Sequence, residues 1–207
     1  MSTMQTHKTL EVAKEIVSSN CDLLKNELDL DTVLAKLGQL VVQHPIVRVY
    51  QDGHLIPSST YTASDSFSGQ AIHNVVDANS VRRHLKNGST IAWQNAELFF
   101  GRVAQVVREL ERELNNVVYV TIFATPQEQV GLESHWDSQD VVMLQLNGCK
   151  NWRLGTSGER DAELKHECRL EVGDTLCLPR YTQHQANAGS TGSFHLSFVI
   201  PPENIPS

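Results

Sequence analysis

The apolar residues of this 207-residue chain change their period near Asn116, and that change limits the folds open to it. Before Asn116, "LEVAKEIVSS", "LDLDTVLAKLGQLVV" and "NAELFFGRVAQVVRELERELNN" repeat at three and four residues, as amphipathic helices do. In the last of these, Leu98, Val103, Val106, Val107, Leu110 and Leu114 share one face. After Asn116, "VVYVTIFAT", "DVVMLQLNG", "KNWRLG", "CRLEVGDTLCLP" and "GSFHLSFVIP" read as strands separated by Gly, Asn and Asp turns. The expected architecture is a helical N-terminal half packed on a C-terminal antiparallel β-barrel or sandwich.

Residues 8–41 read as helix, interrupted near Asn20. "PIVRVYQDG" is a strand closed by an Asp52-Gly53 turn. The Ser-, Thr- and Gly-rich residues 56–75 read as a long loop of the kind used as a lid. Asp77 caps a short helix that stops at Gly88, and "STIAWQ" is a strand. The division expected is N-terminal helices over 1–45 and a barrel over 46–207, with a helical insertion around 77–115, all in one domain. The chain shows no internal repeat and no low-complexity segment.

Hydrophobic residues make up 40% and charged residues 20%, enough for a packed core. The net charge of -7 argues against a general nucleic-acid binder, which needs a basic face. The N-terminus has no secretory pattern, and no apolar run approaches the ~20 residues of a spanning helix. Cys21, Cys149, Cys168 and Cys177 are scattered and form no C-x-x-C pair, as suits reduced thiols. The expected location is the cytoplasm, without a membrane or nucleic-acid partner.

The stretch "ESHWDSQD" carries the chemistry. In an extended segment His135 and Asp137 point to one face, about 7 Å apart at Cα, with Trp136 on the other. An H-x-D alone is common by chance and equally suits a surface. A second histidine from a distant strand would complete a 2-His-1-carboxylate triad. His184, in the turn of "GDTLCLPRYTQHQA", is the candidate. His166 lies in a charged run and is expected to be solvated; His195 alternates into a strand and is expected to line the core.

A hairpin of "DVVMLQLNG" and "KNWRLG" would return Lys150 beside the metal-binding strand. Alternation puts Lys150 on one face with Trp152 and Leu154, both of which prefer the interior. An inward ammonium either loses its proton or meets an anion, and no acidic neighbour in the sequence plainly supplies one. The opposing reading is that Lys150 snorkels from the strand end into water.

"HWDSQDVVMLQLNGCKNWRLG", "LEVGDTLCLPRYTQHQA" and "SFHLSFVI", in that order, resemble the cupin-fold JmjC oxygenases. They are most similar to the ribosomal-oxygenase (cupin-4) branch. "VRVYQDG" and "GSTIAWQNAELFF" extend the resemblance from about Val47 to Ile200. It implies a mainly β fold, a double-stranded β-helix (cupin or jelly-roll) barrel with a helical N-terminal part. It implies Fe(II), 2-oxoglutarate and O₂, with iron on the catalytic residues His135, Asp137 and His184. It places Lys150 against the distal carboxylate of 2-oxoglutarate. Thr121 stands where the family usually has Asn, and Phe123 where it has Tyr. Ser197 takes the place of a family Thr or Ser that faces the same carboxylate.

The implied reaction is hydroxylation coupled to decarboxylation of 2-oxoglutarate to succinate and CO₂. The chain ends shortly after the last barrel strand, so the C-terminal dimerisation and winged-helix domains of that branch are expected to be missing. Two substrate classes stay open: a peptide or protein side chain, and a free or carrier-bound amino acid in a biosynthetic pathway. Arg180, beside the His184 turn, either meets a substrate carboxylate or is structural. A homodimer would have to use the N-terminal helices or a barrel face. The reading from another class is a non-catalytic or 2-oxoglutarate-independent metal-binding cupin, which would have no need of a cation at Lys150.

Overall fold

The computed structural model describes residues 3–202. Helices α1 (Thr3–Ser19), α2 (Cys21–Glu27) and α3 (Leu30–Leu37) come first. Strands β1 (Val47–Gln51) and β2 (His54–Leu55) follow, then β3 (Thr62–Phe67), β4 (Gln70–Val76), α4 (Ala78–Lys86), β5 (Thr90–Trp93) and α5 (Gly101–Leu114). The C-terminal half is β6 (Tyr119–Thr125), β7 (Asp140–Leu154), β8 (His166–Leu170), β9 (Thr175–Leu178) and β10 (His184–Ile200). No described helix is long and apolar enough to cross a membrane.

The helical stretch expected over 8–41 is broken at Asn20, as its sequence implied, and again before Leu30, which makes three helices. Asn20 turns its side-chain amide onto the Ile16 carbonyl at 2.9 Å, competing with the helix ladder where α1 ends. Asp29 then caps α3 by accepting from the Thr32 N–H at 2.7 Å. Asp77 caps α4 in the same way, accepting from the Ser80 N–H at 2.6 Å.

Eight strands form one antiparallel sheet in the order β2-β1-β5-β6-β10-β7-β8, with β9 also paired to β7. Between the register shifts of β7 and β10, its strands alternate with a period of two. Val120, Ile122 and Ala124 of β6, Val142, Leu144 and Leu146 of β7, and Phe194, Leu196, Phe198 and Ile200 of β10 belong to one apolar cluster with Leu10, Val17, Leu24, Val103, Val106 and Leu110 of the helices. Burying each such side chain contributes roughly 1.5–3 kcal/mol before entropy is counted. The alternate residues, Thr121, Phe123, Val141, Met143, Ser197 and Val199, face the interior of the bent sheet and line a cavity.

Three sequence expectations are corrected. Residues 56–75 are not a long loop: β3 and β4 pair as a hairpin through Ser68 (φ 51) and Gly69 (φ 78), a two-residue turn of the type hairpins favour. Most of its described side chains are solvent-exposed, so no apolar alternation announced it. Leu98 is 71% exposed rather than on the α5 face. After left-handed Asn95 the chain makes a 3₁₀ turn at Ala96–Leu98, and α5 begins only at Gly101. The expected hairpin of "DVVMLQLNG" and "KNWRLG" is one continuous strand, β7.

β7 bends where a hairpin was expected to turn. Gly148 has φ +65, opposite a register break in β10 between Ala188 and Ser193. The first half of β7 pairs with β9 and the second with β8, so the sheet folds over itself at this point. A Cβ on Gly148 would collide with the Gly192 carbonyl oxygen. Gly148→Ala should therefore lower stability by about 2 kcal/mol or more. A urea midpoint equal to that of the wild type would show that the bend does not depend on this glycine.

Candidate metal and cosubstrate site

His135 and His184 are held together by their own backbones. The His135 N–H donates to the His184 carbonyl at 3.0 Å, and the His184 N–H returns a bond to the His135 carbonyl at 2.7 Å. The two rings lie 4.2 Å apart. Asp137, two residues on, brings its Oδ2 to 3.7 Å from His184 Nε2. One ligand atom from each of His135, Asp137 and His184 lies within 4.8 Å of the others. Trp136 points away, with its ring edge-on to Tyr181 at 5.7 Å and the Arg160 guanidinium over its face at 4.4 Å.

Each histidine is fixed in one tautomer. His135 Nδ1 lies 2.7 Å from the Glu133 carbonyl and His184 Nδ1 2.9 Å from the Thr182 carbonyl. A carbonyl only accepts, so Nδ1 carries the proton and each Nε2 keeps its lone pair. Burial, with His135 close by, lowers the His184 pKa against the opposing pull of the Thr182 carbonyl and Asp137. Two imidazole nitrogens and one carboxylate are a donor set that fits a divalent iron-type ion and leaves coordination positions free.

The turn leading into β10 is strapped to the ligand segment. Tyr181, at φ 67, donates its N–H to the Asp137 carbonyl at 2.7 Å. Asp140, 1% exposed, accepts from the Arg180 N–H and from its Nη2, both at 2.8 Å. Of the two readings of Arg180, the structural one holds. His184 itself is the first residue of β10 rather than part of the turn.

Behind the triad a cavity of about 330 Å³ reaches Lys150, Thr121, Phe123, Trp152 and Ser197. Lys150 is 2% exposed. Its Nζ donates to Thr125 Oγ1 at 3.3 Å and sits 5.6 Å from the Trp152 ring and 5.9 Å from the Phe123 ring. No carboxylate pairs with it among the described residues. Burial alone pushes its pKa from 10.5 down to about 7. The Ser197 hydroxyl is buried in the same cavity without a hydrogen-bond partner. His195 is buried and stacked on Phe123 at 5.1 Å, held neutral first by burial and then by Lys150. His166 is exposed. The cavity also takes in Arg48, Tyr50, Gln94 and Gln139, which the sequence reading passed over. The alternation of Arg48 and Tyr50 with buried Val47 and Val49 was the available signal.

A bent antiparallel sheet with an H-x-D…H cluster beside its cavity is the architecture of cupin proteins. The JmjC domain family matches residues 98–206, more than half of the chain, and the chain belongs to that family. It is 30% identical over 130 residues to ribosomal oxygenase 2 of Mus musculus, a match covering 56% of this chain and 28% of that protein. It is also 30% identical over 134 residues to the bifunctional lysine-specific demethylase and histidyl-hydroxylase NO66 of Dictyostelium discoideum, covering 56% and 26%. The chain spans about a quarter of the length of these curated relatives. Among solved structures, the Escherichia coli ribosomal oxygenase YcfD in complex with cobalt and 2-oxoglutarate superposes with a TM-score of 0.61 at 19% identity. That match covers 86% of this chain and 45% of YcfD. The cupin barrel with N-terminal helices expected from the sequence is the fold found.

A buried, depressed lysine has a signature in stability. Between the folded pKa of about 7 and the unfolded 10.5, the unfolded chain binds more protons, so stability rises with pH. Below pH 7 the full penalty of burying the charge applies. Lys150→Met should therefore stabilise the metal-free protein at pH 6 by a few kcal/mol at most, on the order set by the shift. The gain should shrink as pH climbs toward 10. A pH-independent difference between the two proteins would place the charge in water.

Proposed function

We propose that this protein is an Fe(II)- and 2-oxoglutarate-dependent hydroxylase acting on an amino-acid side chain. The carrying observation is the pairing of a 2-His-1-carboxylate cluster with Lys150, a buried amine without a carboxylate partner among the described residues, in one cavity. Iron bound there with 2-oxoglutarate and O₂ supplies oxidative decarboxylation to succinate and CO₂, coupled to insertion of oxygen into a C–H bond. His135, Asp137 and His184 are the residues that hold the ion. Lys150 meets the distal carboxylate of the cosubstrate, which restores the charge that burial disfavours and so selects a dicarboxylate. The Ser197 hydroxyl donates to the same carboxylate, and Thr121 lies within the cavity to add a second hydroxyl. Phe123, which lacks a hydroxyl, and Trp152 keep water from that end.

The names of the relatives, ribosomal oxygenase and histidyl-hydroxylase, support a protein side chain as substrate. A cavity of this size also suits a free amino acid. We read the N-terminal helices and the barrel as one unit, because a single apolar cluster runs through both.

Two measurements test this reading. Purified protein with Fe(II), 2-oxoglutarate and O₂ should form succinate slowly without added substrate, and Lys150→Ala should abolish it. Because a tightly coupled enzyme waits for substrate, 2-oxoglutarate binding to the metal-loaded protein is measured alongside. Binding should weaken about tenfold or more in Lys150→Ala, the loss expected for a charge-assisted contact. Neither succinate nor binding in the wild type would leave a metal cupin of another kind. His184→Ala should independently remove high-affinity metal uptake, read by metal content after dialysis; retention of the ion would show that the triad does not hold it.

A further inference from the structure

Arg48 is a cation that no described residue neutralises. It alternates with Val47 and Val49, which are fully buried under the helices, so its side chain lies on the cavity face of β1. It pairs across the sheet with Ala92, and Ala92 with Phe123, which puts Arg48 in the same row as the ring beside Lys150. Ala92 is too small to fill the space next to it. Arg48 is half-buried, yet it makes no hydrogen bond and no ion pair with any described residue. Arg180, the other arginine near the triad, is matched by buried Asp140. Among the described residues lining the cavity, the one acid is Asp137, itself a candidate ligand.

The charge of the loaded site makes the point sharper. This step rests on the hydroxylase reading. A divalent ion and Lys150 offset Asp137 and the cosubstrate dianion completely. Arg48 is left over, in the same cavity, where the substrate must enter. Tyr50, Gln94 and Gln139 surround that space with neutral hydrogen-bonding groups and bring no further charge. One guanidinium flanked by neutral donors suits a planar monoanion gripped by two parallel N–H bonds. We propose that Arg48 binds a carboxylate of the substrate, so that the protein hydroxylates an amino-acid unit bearing a free carboxylate. That carboxylate belongs either to the α-carbon or to an Asp or Glu side chain.

The test uses the full chain loaded with Zn(II) and 2-oxoglutarate, which cannot turn over. Saturation-transfer NMR is run against three probe sets: Nα-acetyl-L-amino acids, the Nα-acetyl amides of Asp and Glu, and the Nα-acetyl amides of the uncharged amino acids. At least one carboxylate-bearing probe should bind the wild type and lose about tenfold or more in affinity in Arg48→Gln. The set it comes from distinguishes an α-carboxylate from a side-chain one. Affinity for 2-oxoglutarate should be the same in both proteins. The proposal is overturned if no acid binds, if Arg48→Gln binds the acids equally, or if the carboxylate-free amides bind as tightly. Failure of the wild type to take up 2-oxoglutarate would instead sink the hydroxylase reading and this inference with it. Failure of the acids alone removes only the role of Arg48.

Discussion

Everything at the site depends on the helices sealing one face of the sheet. Strands of period two carry two sets of side chains, and α1, α2 and α5 cover the set built from Val120, Ile122, Leu144, Leu196 and Phe198. Once these residues are buried outward, register leaves Thr121, Phe123, Met143 and Ser197 no direction but inward. A one-residue slip in β10 would turn Ser197 into the helical core and Phe198 into the cavity. The apolar outer face thus fixes the address of every polar inner residue.

The second constraint is the fold-over at Gly148. It brings the half-strand carrying Lys150 and Trp152, with His184 and Ala186 of β10, across from the half that carries Thr121 and Ser197. The irregular segment ahead of β7 then pairs with the first half of β10. The Gly131 N–H donates to the Ala186 carbonyl at 2.9 Å, and His135 exchanges two bonds with His184. Gly131 has a further reason to lack a side chain, since a Cβ there would lie 3.1 Å from the Lys150 amine. Backbone hydrogen bonds therefore aim the two histidines before any ion arrives, which keeps the reorganisation needed for metal binding small.

How much of this was legible in the sequence follows from what each signal reports. Alternation placed Lys150 and Trp152 on one face correctly, because burial and pleat agree over that stretch. It could not separate a hairpin from a bent strand, since Asn147-Gly148 is turn chemistry in either case and only the partner strands decide. Residues 56–75 looked structureless because a two-stranded ribbon exposed to water needs no apolar face. Leu98 fitted a helical wheel that the 3₁₀ turn ahead of Gly101 breaks. His184 was found as a residue type in a turn, but it pairs with His135 across a sequence separation of 49 residues, of which local spacing knows nothing. Arg48 was passed over because its strand was read for its apolar half alone.

The three cations around the cavity show how placement separates roles. Arg180 faces Asp140 and is satisfied, so it holds the turn that presents His184. Lys150 is sunk where burial disfavours its charge, a condition relieved by loss of its proton or by an incoming anion. Arg48 is half in water, so its charge costs the fold little, but it gains no partner among the described residues either. A protein selected for stability alone would match or remove both unpaired cations. Two such cations in one cavity, one deep and one shallow, beside a metal-type cluster, fit the proposal that the site takes two anions.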